Sequence, residues 1–214
     1  MNYPILYSFK RCPYAMRARM ALKLADIKCE IREVRLNNKP EDMLKASPKG
    51  TVPVLVLKNR VIDESNEIID WVLEGNKIFN GNLSNTNIQF TRETINIFDN
   101  QFKYHLDRYK YSTRYEDIDV KDHQRKCMSI LISLDKKIGG SRWIFEDNLN
   151  KLDISILPFI RQFRIADPKW FDEQTEIKSV QRILNNFLKS ELFKDVMIPY
   201  DEWKEESRVV FFPK

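Results

Sequence analysis

Cys12 is the residue whose setting points most directly to chemistry. It stands between an apolar run, residues 5–9, that reads as a buried strand, and a segment opened by Pro13 in which Met16, Met20 and Leu24 recur at four-residue spacing. Proline suits the first helical position because the N–H it lacks has no partner there in any case. Cys12 is therefore expected at a strand-to-helix turn, where unpaired N–H groups and the positive end of the helix dipole face its sulfur and Arg11 adds a cation. Such surroundings lower a thiol pKa and make the thiolate the resting nucleophile. Position 15 is Ala15, so there is no Cys-x-x-Cys pair, and Cys29 and Cys127 bear no motif relation to Cys12. An external thiol must then resolve any intermediate, and the chemistry expected is exchange through a mixed disulfide.

Two further places could hold a ligand. Pro53 opens an apolar strand although proline cannot donate to a sheet ladder, which argues for an edge, a turn or a cis bond. A cis Pro53 beside the Cys12 turn would leave the Val52 backbone able to pair with an extended, peptide-like ligand. Glu64-Ser65, at the start of a helix, offers a carboxylate, a hydroxyl and open N–H groups, suited to a ligand with both an ammonium and a carboxylate, although a plain helix cap reads the same way. His105 and His123 stand well apart in sequence with no Cys/His cluster at ligand spacing around them, so no metal site is expected. Tyr104, Tyr109, Tyr111 and Tyr115 either line a substrate pocket or pack as core, and Phe159, Phe163, Trp170, Phe171 and Trp203 are expected to pack a helical bundle.

The elements that must position these residues follow from periodicity. Residues 28–36 form an imperfectly alternating second strand, parallel to the first through the helical crossover. A punctuated loop, residues 37–50, holds a short helix at 41–46. Residues 54–57 and 61–63 make a hairpin about the turn at 58–60, and a helix opens at Glu64 with acids in its first turn. After a polar stretch the pattern turns helical, with Ile95, Phe98, Phe102, Leu106 and Tyr109 on one face and further helices near 121–138, 153–164, 176–188 and 190–197. The reading is a small α/β domain over residues 1–74, a linker over 75–87 and an all-helical domain over 88–214.

Composition narrows the function classes. The chain has 214 residues, 36 Lys+Arg against 31 Asp+Glu, a formal net charge of +5, and 43% apolar and 12% aromatic residues. That is enough to build packed cores, and the mixed charge excludes disordered and coiled-coil readings. No run of 18 apolar residues exists, and the first residues lack a basic flank and apolar stretch, so a soluble cytoplasmic protein without a membrane role is expected. Three scattered cysteines do not make a disulfide framework. Residues 1–73 carry 13 Lys+Arg and 9 Asp+Glu, and the remainder 23 and 22. This small excess, gathered at Lys10, Arg11, Arg17 and Arg19, suits a small anionic ligand and is too sparse for nucleic acid.

Read together, residues 11–20 with Arg11-Cys12-Pro13-Tyr14-Ala15, then Asn38-Lys39-Pro40-Glu41, residues 47–55 with Ser47-Pro48-Lys49-Gly50-Thr51-Val52-Pro53, and Asp63-Glu64-Ser65 resemble the glutathione transferase superfamily. The similarity is to its cysteine-type members, the omega class and glutaredoxin-2-like proteins, and Asn150-Lys151-Leu152-Asp153 is similar to the family's N-capping box. The resemblance implies a thioredoxin-like domain followed by an α-helical one, with glutathione as co-substrate, no metal, and a second substrate in the cleft between the domains. It implies that Cys12 bonds or faces the glutathione sulfur, flanked by Phe9 and Tyr14. Val52, before a cis Pro53, would pair with the cysteinyl unit, Glu64 and Ser65 would hold the γ-glutamyl end, and Lys39 would approach the glycine carboxylate. Tyr14 stands where the omega class has Phe, and Ala15 where glutaredoxin-2-like proteins have Cys. Other classes activate glutathione with a Tyr or Ser ending the first strand; with Cys12 present, Tyr7 and Ser8 are expected to have no catalytic role. The activity implied is a glutathione-dependent thiol transferase or reductase. The alternatives are a transferase conjugating glutathione to electrophiles and a binding or regulatory protein on the same fold, as a homodimer or a monomer.

Overall fold

The computed structural model describes residues 3–75 and 83–214. The N-terminal elements are β1 (Ile5–Ser8), α1 (Pro13–Leu24), β2 (Cys29–Glu33), α2 (Glu41–Ala46), β3 (Val54–Val56), β4 (Val61–Ile62) and α3 (Ser65–Gly75). Then come α4 (Asn85–Ile97), a π-helical turn (Phe98–Phe102), α5 (Lys103–Lys110), α6 (Val120–Asp135), α7 (Lys151–Ala166), α8 (Pro168–Glu173), α9 (Lys178–Lys189), α10 (Glu191–Val196) and a last strand, β5 (Phe211–Phe212). This is the thioredoxin-like α/β domain and following helices that the sequence leads one to expect.

Contacts divide the chain into two compact units. Residues 3–75 and Lys189–Lys214 make one, residues 83–188 the other. In the first, the sheet runs β4-β3-β1-β2-β5. β1 and β2 are parallel, as the α1 crossover demands, with Leu6 opposite Ile31; β3 lies antiparallel to β1, with Leu6 opposite Leu55. Leu6, Leu55 and Ile31 are all buried in its centre. Helix α1 packs on both α3 and α10, and every residue from Ala15 to Leu22 is buried. A helix covered all round should be apolar all round; Arg17 and Arg19 break that rule. The expected anion-attracting cluster is thereby corrected, since two of its four cations are turned into the core.

The tail also corrects the all-helical reading of 88–214. Phe211–Phe212 adds an antiparallel fifth strand to β2, and Ile31 N–H donates to the Val210 carbonyl at 2.9 Å. The apolar run 209–212 ahead of Pro213 carried this signal. Trp203 belongs to the C-terminal tail and not to the helical bundle: its backbone N–H donates to the Glu33 carbonyl at 2.8 Å, and its ring lies under the Arg32 guanidinium at 4.1 Å.

In the helical unit, Ser84 caps α4 by accepting from Asn87 N–H, so residues 85–87 of the expected linker are helix; its part at 76–82 lies outside the described residues. Helix α7 starts with a reciprocal capping box between Asn150 and Asp153. Phe163 gathers Phe102, Tyr109, Trp170 and Phe171 around it at ring separations of 5.4–6.0 Å. His105 and His123, far apart in sequence, are in contact at 2.7 Å between their Nδ1 atoms, because α5 and α6 pack together. Among the described residues no helix is long and apolar enough to cross a membrane, and no group of three or more metal-ligating side chains gathers.

Candidate active site

Cys12 sits at the N-cap of α1 with extended backbone, and Pro13 occupies the first turn. Three hydrogen bonds fix the loop that carries it. Cys12 N–H donates to the Phe9 carbonyl at 3.0 Å, Lys10 N–H donates to the Glu33 carboxylate at 2.6 Å, and the Arg19 guanidinium donates to the Lys10 carbonyl at 2.8 Å. Both polar groups of Lys10's backbone are thus held by charged side chains, one from β2 and one from α1. Burial pushes the Glu33 carboxyl above the usual carboxylate range, with the Lys10 N–H, Arg19 and the Lys10 side chain pulling the other way. The purpose of the buried Arg19 is then local: it braces the end of β1, through Ser8 as well, against the turn that presents the thiol.

The Cys12 thiol donates to the Val52 carbonyl at 3.6 Å. Both rest on an apolar floor of Tyr7, Ala15, Val34, Met43 and Val54, which Phe9 also packs against. Val52 is 7% exposed and the Val52–Pro53 bond is cis. Two residues earlier Gly50 takes φ +62, a conformation other residues adopt only with strain, and a Cβ there would meet Lys39 Nζ at 3.4 Å and Leu44 at 3.2 Å. Lys39 is therefore packed along the loop leading to Val52. It also lines a small cleft of about 170 Å³ with Pro40, Asp42, Trp203 and Lys204, so the tail forms one wall beside it.

At the start of α3, Glu64 is exposed and Ser65 is 4% exposed. Lys49 Nζ reaches Glu64 at 2.7 Å and Asp63 at 3.1 Å, and the Ser47 hydroxyl donates to Asp63 at 2.6 Å. The Ser47 bond first, and Lys49 after it, hold the Asp63 carboxyl below its usual range. Ser65 Oγ accepts from the Arg17 guanidinium at 3.3 Å, and Arg17 lies 5.3 Å from the centre of the Tyr14 ring. The Phe9 ring, on the other side of Cys12 in sequence, carries the Arg11 guanidinium at 5.5 Å.

The expected site residues thus fall into three joined groups. Cys12, Phe9 and Val52 share one apolar floor, with Pro53 tied to Val52 by the cis bond; Tyr14 and Ser65 are linked through Arg17; Lys39 lies against Gly50. Glu64 joins Ser65 by sequence and Lys49 by charge. Sequence reasoning missed Arg17, Arg19, Glu33 and Lys49 as parts of this arrangement. Basic residues between Met16 and Met20 on a helix otherwise fit for burial were the available signal for the two arginines. Tyr7 and Ser8 are engaged elsewhere: Arg32 donates to the Tyr7 hydroxyl at 2.8 Å, burial raises the pKa of that phenol, and Ser8 accepts from Arg19.

Comparison with known proteins adds an independent line. Residues 6–77 match the family model for the glutathione S-transferase N-terminal domain. Over 165 residues the chain is 27% identical to a probable glutathione S-transferase, MSR-1, of Nicotiana plumbaginifolia, covering 76% of this chain and 74% of that one. Over 78 residues it is 38% identical to human glutathione S-transferase omega-2, covering 35% of this chain and 32% of the relative. Among solved structures, glutathione transferase Omega 3C from Trametes versicolor superposes with a TM-score of 0.77 at 17% identity over 94% of this chain and 92% of that one. A glutathione transferase family member from Pseudomonas fluorescens with two glutathione bound gives 0.78 at 17% identity over 92% of each chain.

Proposed function

We propose, because this chain belongs to the glutathione transferase superfamily, that it is a cysteine-type, glutathione-dependent thiol transferase working through a mixed disulfide on Cys12. The observation that carries the reading is the Cys12 thiol at the head of α1, 3.6 Å from the Val52 carbonyl, with Ala15 where a second thiol would stand. Glutathione as co-substrate is supported by the bacterial structure of the same fold that holds it.

On this reading the glutathione backbone lies along Val52, with its cysteinyl sulfur over the Cys12 thiol and the Phe9 and Tyr14 rings to either side. Glu64 takes the α-ammonium, Ser65 the α-carboxylate, and Lys39 the glycine carboxylate, each an opposite-charge or donor–acceptor match. The Cys12 thiolate attacks the glutathione sulfur of a substrate disulfide. A new disulfide forms between Cys12 and glutathione, the old S–S bond breaks, and the released thiolate takes a proton from water. With Ala15 unable to resolve the intermediate, a second glutathione thiolate attacks the enzyme-bound glutathione sulfur. Glutathione disulfide leaves and the Cys12 thiolate is restored, so one glutathione thiol is consumed and one substrate thiol released for each mixed disulfide reduced. The metal-free site of this scheme, a cytoplasmic location, and residues 1–74 as the glutathione-binding domain belong to the same proposal.

The test is glutathione-dependent reduction of a simple glutathione mixed disulfide by the wild type and by Cys12→Ala. Turnover in the wild type that is lost in the variant is expected. Conjugation of glutathione to an electrophile that survives Cys12→Ala, without disulfide reduction by the wild type, would replace this reading with the conjugating one. Absence of glutathione binding would leave a binding or regulatory protein.

A further inference from the structure

We infer that Arg17 is the positioning residue for recognition of the γ-glutamyl end, acting from beneath the site through Ser65. The inference rests on the glutathione reading above and goes beyond it, since Arg17 touches no part of the ligand in that scheme.

Arg17 is 0% exposed, on the stretch of α1 that is buried on every side. Its guanidinium donates to Ser65 Oγ at 3.3 Å, joining α1 to the first residue of α3 across 48 positions of sequence. A hydroxyl has one proton and two lone pairs. With one lone pair taken by the arginine N–H, the Ser65 proton is directed away from the cation, so Arg17 sets Ser65 as a donor. A donor at that point fits a carboxylate and not an ammonium, which leaves the ammonium to Glu64, the exposed acid beside it.

The same guanidinium lies 5.3 Å from the centre of the Tyr14 ring, and Tyr14 precedes it by three positions on one helix face. One rigid, planar group therefore touches a residue proposed at the γ-glutamyl end and one proposed beside the sulfur. A lysine has no such fork and could not hold both. Arg19 is buried just as deeply, yet it is spent on Ser8 and the Lys10 carbonyl. The two arginines of α1 thus divide between the thiol's loop and the ligand's far end.

The experiment is calorimetric binding of two probes, S-methylglutathione and S-methylcysteinylglycine, which differ by the γ-glutamyl unit. They are titrated into wild type, Arg17→Met, Arg17→Lys, Ser65→Ala and the Arg17→Lys/Ser65→Ala double variant, with thermal melts of each. Wild type is expected to prefer the first probe by about tenfold or more. Arg17→Met should lose about tenfold in affinity for that probe and less than about twofold for the second, and Arg17→Lys should fall between. Ser65→Ala should add little further loss in the Arg17→Lys background, because both act through one contact. Should Arg17→Met fail to fold, the Arg17→Lys cycle with Ser65→Ala carries the same test. Equal weakening of both probes, no change in preference, or fully additive losses in the cycle would overturn the inference while leaving the glutathione reading in place. A wild type that binds neither probe, or both alike, removes the glutathione reading and this inference with it.

Discussion

Lys49 and Glu64 are ion-paired at 2.7 Å at the head of α3, with the same ammonium 3.1 Å from Asp63. On the proposed reading the ligand's α-ammonium goes to Glu64, so Lys49 occupies that anchor in the free chain and one cation must replace another. Lys49→Ala should therefore tighten glutathione binding by about two- to fivefold at low ionic strength, the scale of an exposed ion pair. The gain should shrink in about 0.5 M salt, where such pairs are screened. Titration calorimetry decides it, and weaker binding in the variant would instead make Lys49 a contact of the ligand.

Asp153 accepts from two backbone N–H groups, Asn150 at 3.0 Å and Ile144 at 3.1 Å, in a fully buried position. Asp153→Ala leaves both donors without a partner and removes the capping box of α7, which should cost about 2–4 kcal/mol in urea unfolding. Burial is the leading influence on its carboxyl and pushes it up from 3.8 to about 7, against the hydrogen bonds that lower it. A group raised on folding stabilises fully below its unfolded pKa and loses that contribution as pH climbs through the folded value. The stability gap between wild type and variant should accordingly narrow from about pH 4 to about pH 7, and a gap that widens over that range would contradict the assignment.

His105 and His123 share one hydrogen bond between their Nδ1 atoms at 2.7 Å, which requires at least one neutral ring. Burial lowers both pKa values; His105 is lowered further by His123 and Lys126, and His123 by Arg108, with Asp122 opposing in each case. Groups depressed on folding stabilise above their unfolded pKa and lose that contribution as pH falls. The wild type's melting temperature should drop more than that of His123→Ala between pH 7 and pH 5, and parallel curves would show that the pair does not couple to stability.

Phe212 is buried and pairs with Cys29 through β5, while Phe211 pairs with Glu30. Removing residues 209–214 deprives the core of the Phe212 ring and bares the β2 edge. The loss should reach about 3 kcal/mol or more, and the open edge should promote self-association. Thermal melts with light scattering test both, and a truncated chain as stable and as small in solution as the full one would show that β5 is ornamental.

Much of the candidate site was legible because its signals are local. Cys12-Pro13 between an apolar run and a four-residue periodicity, the Val52-Pro53 step and the polar head of α3 each express a preference of a few adjacent residues. Those preferences, with the crossover rule, were enough to order β1, α1, β2, α2, β3, β4 and α3. What they could not convey was partnership over distance. A sequence shows Arg17 and Arg19 as charges, and charges are expected in water. Only the packing of α1 among the sheet, α3 and α10 turns them inward, where each must find acceptors: Ser65 for one, Ser8 and the Lys10 carbonyl for the other. The same holds for Glu33 beneath Lys10, Trp203 against Arg32, His105 beside His123, and the tail strand on β2. The sequence alone determined the order of the elements from β1 to α3 and the place of Cys12 at the head of α1, because short-range sterics and hydrogen bonding act between near neighbours. The tertiary structure decided which charges are buried and what they hold, because the cost of removing a charge from water depends on groups brought together from tens of residues away.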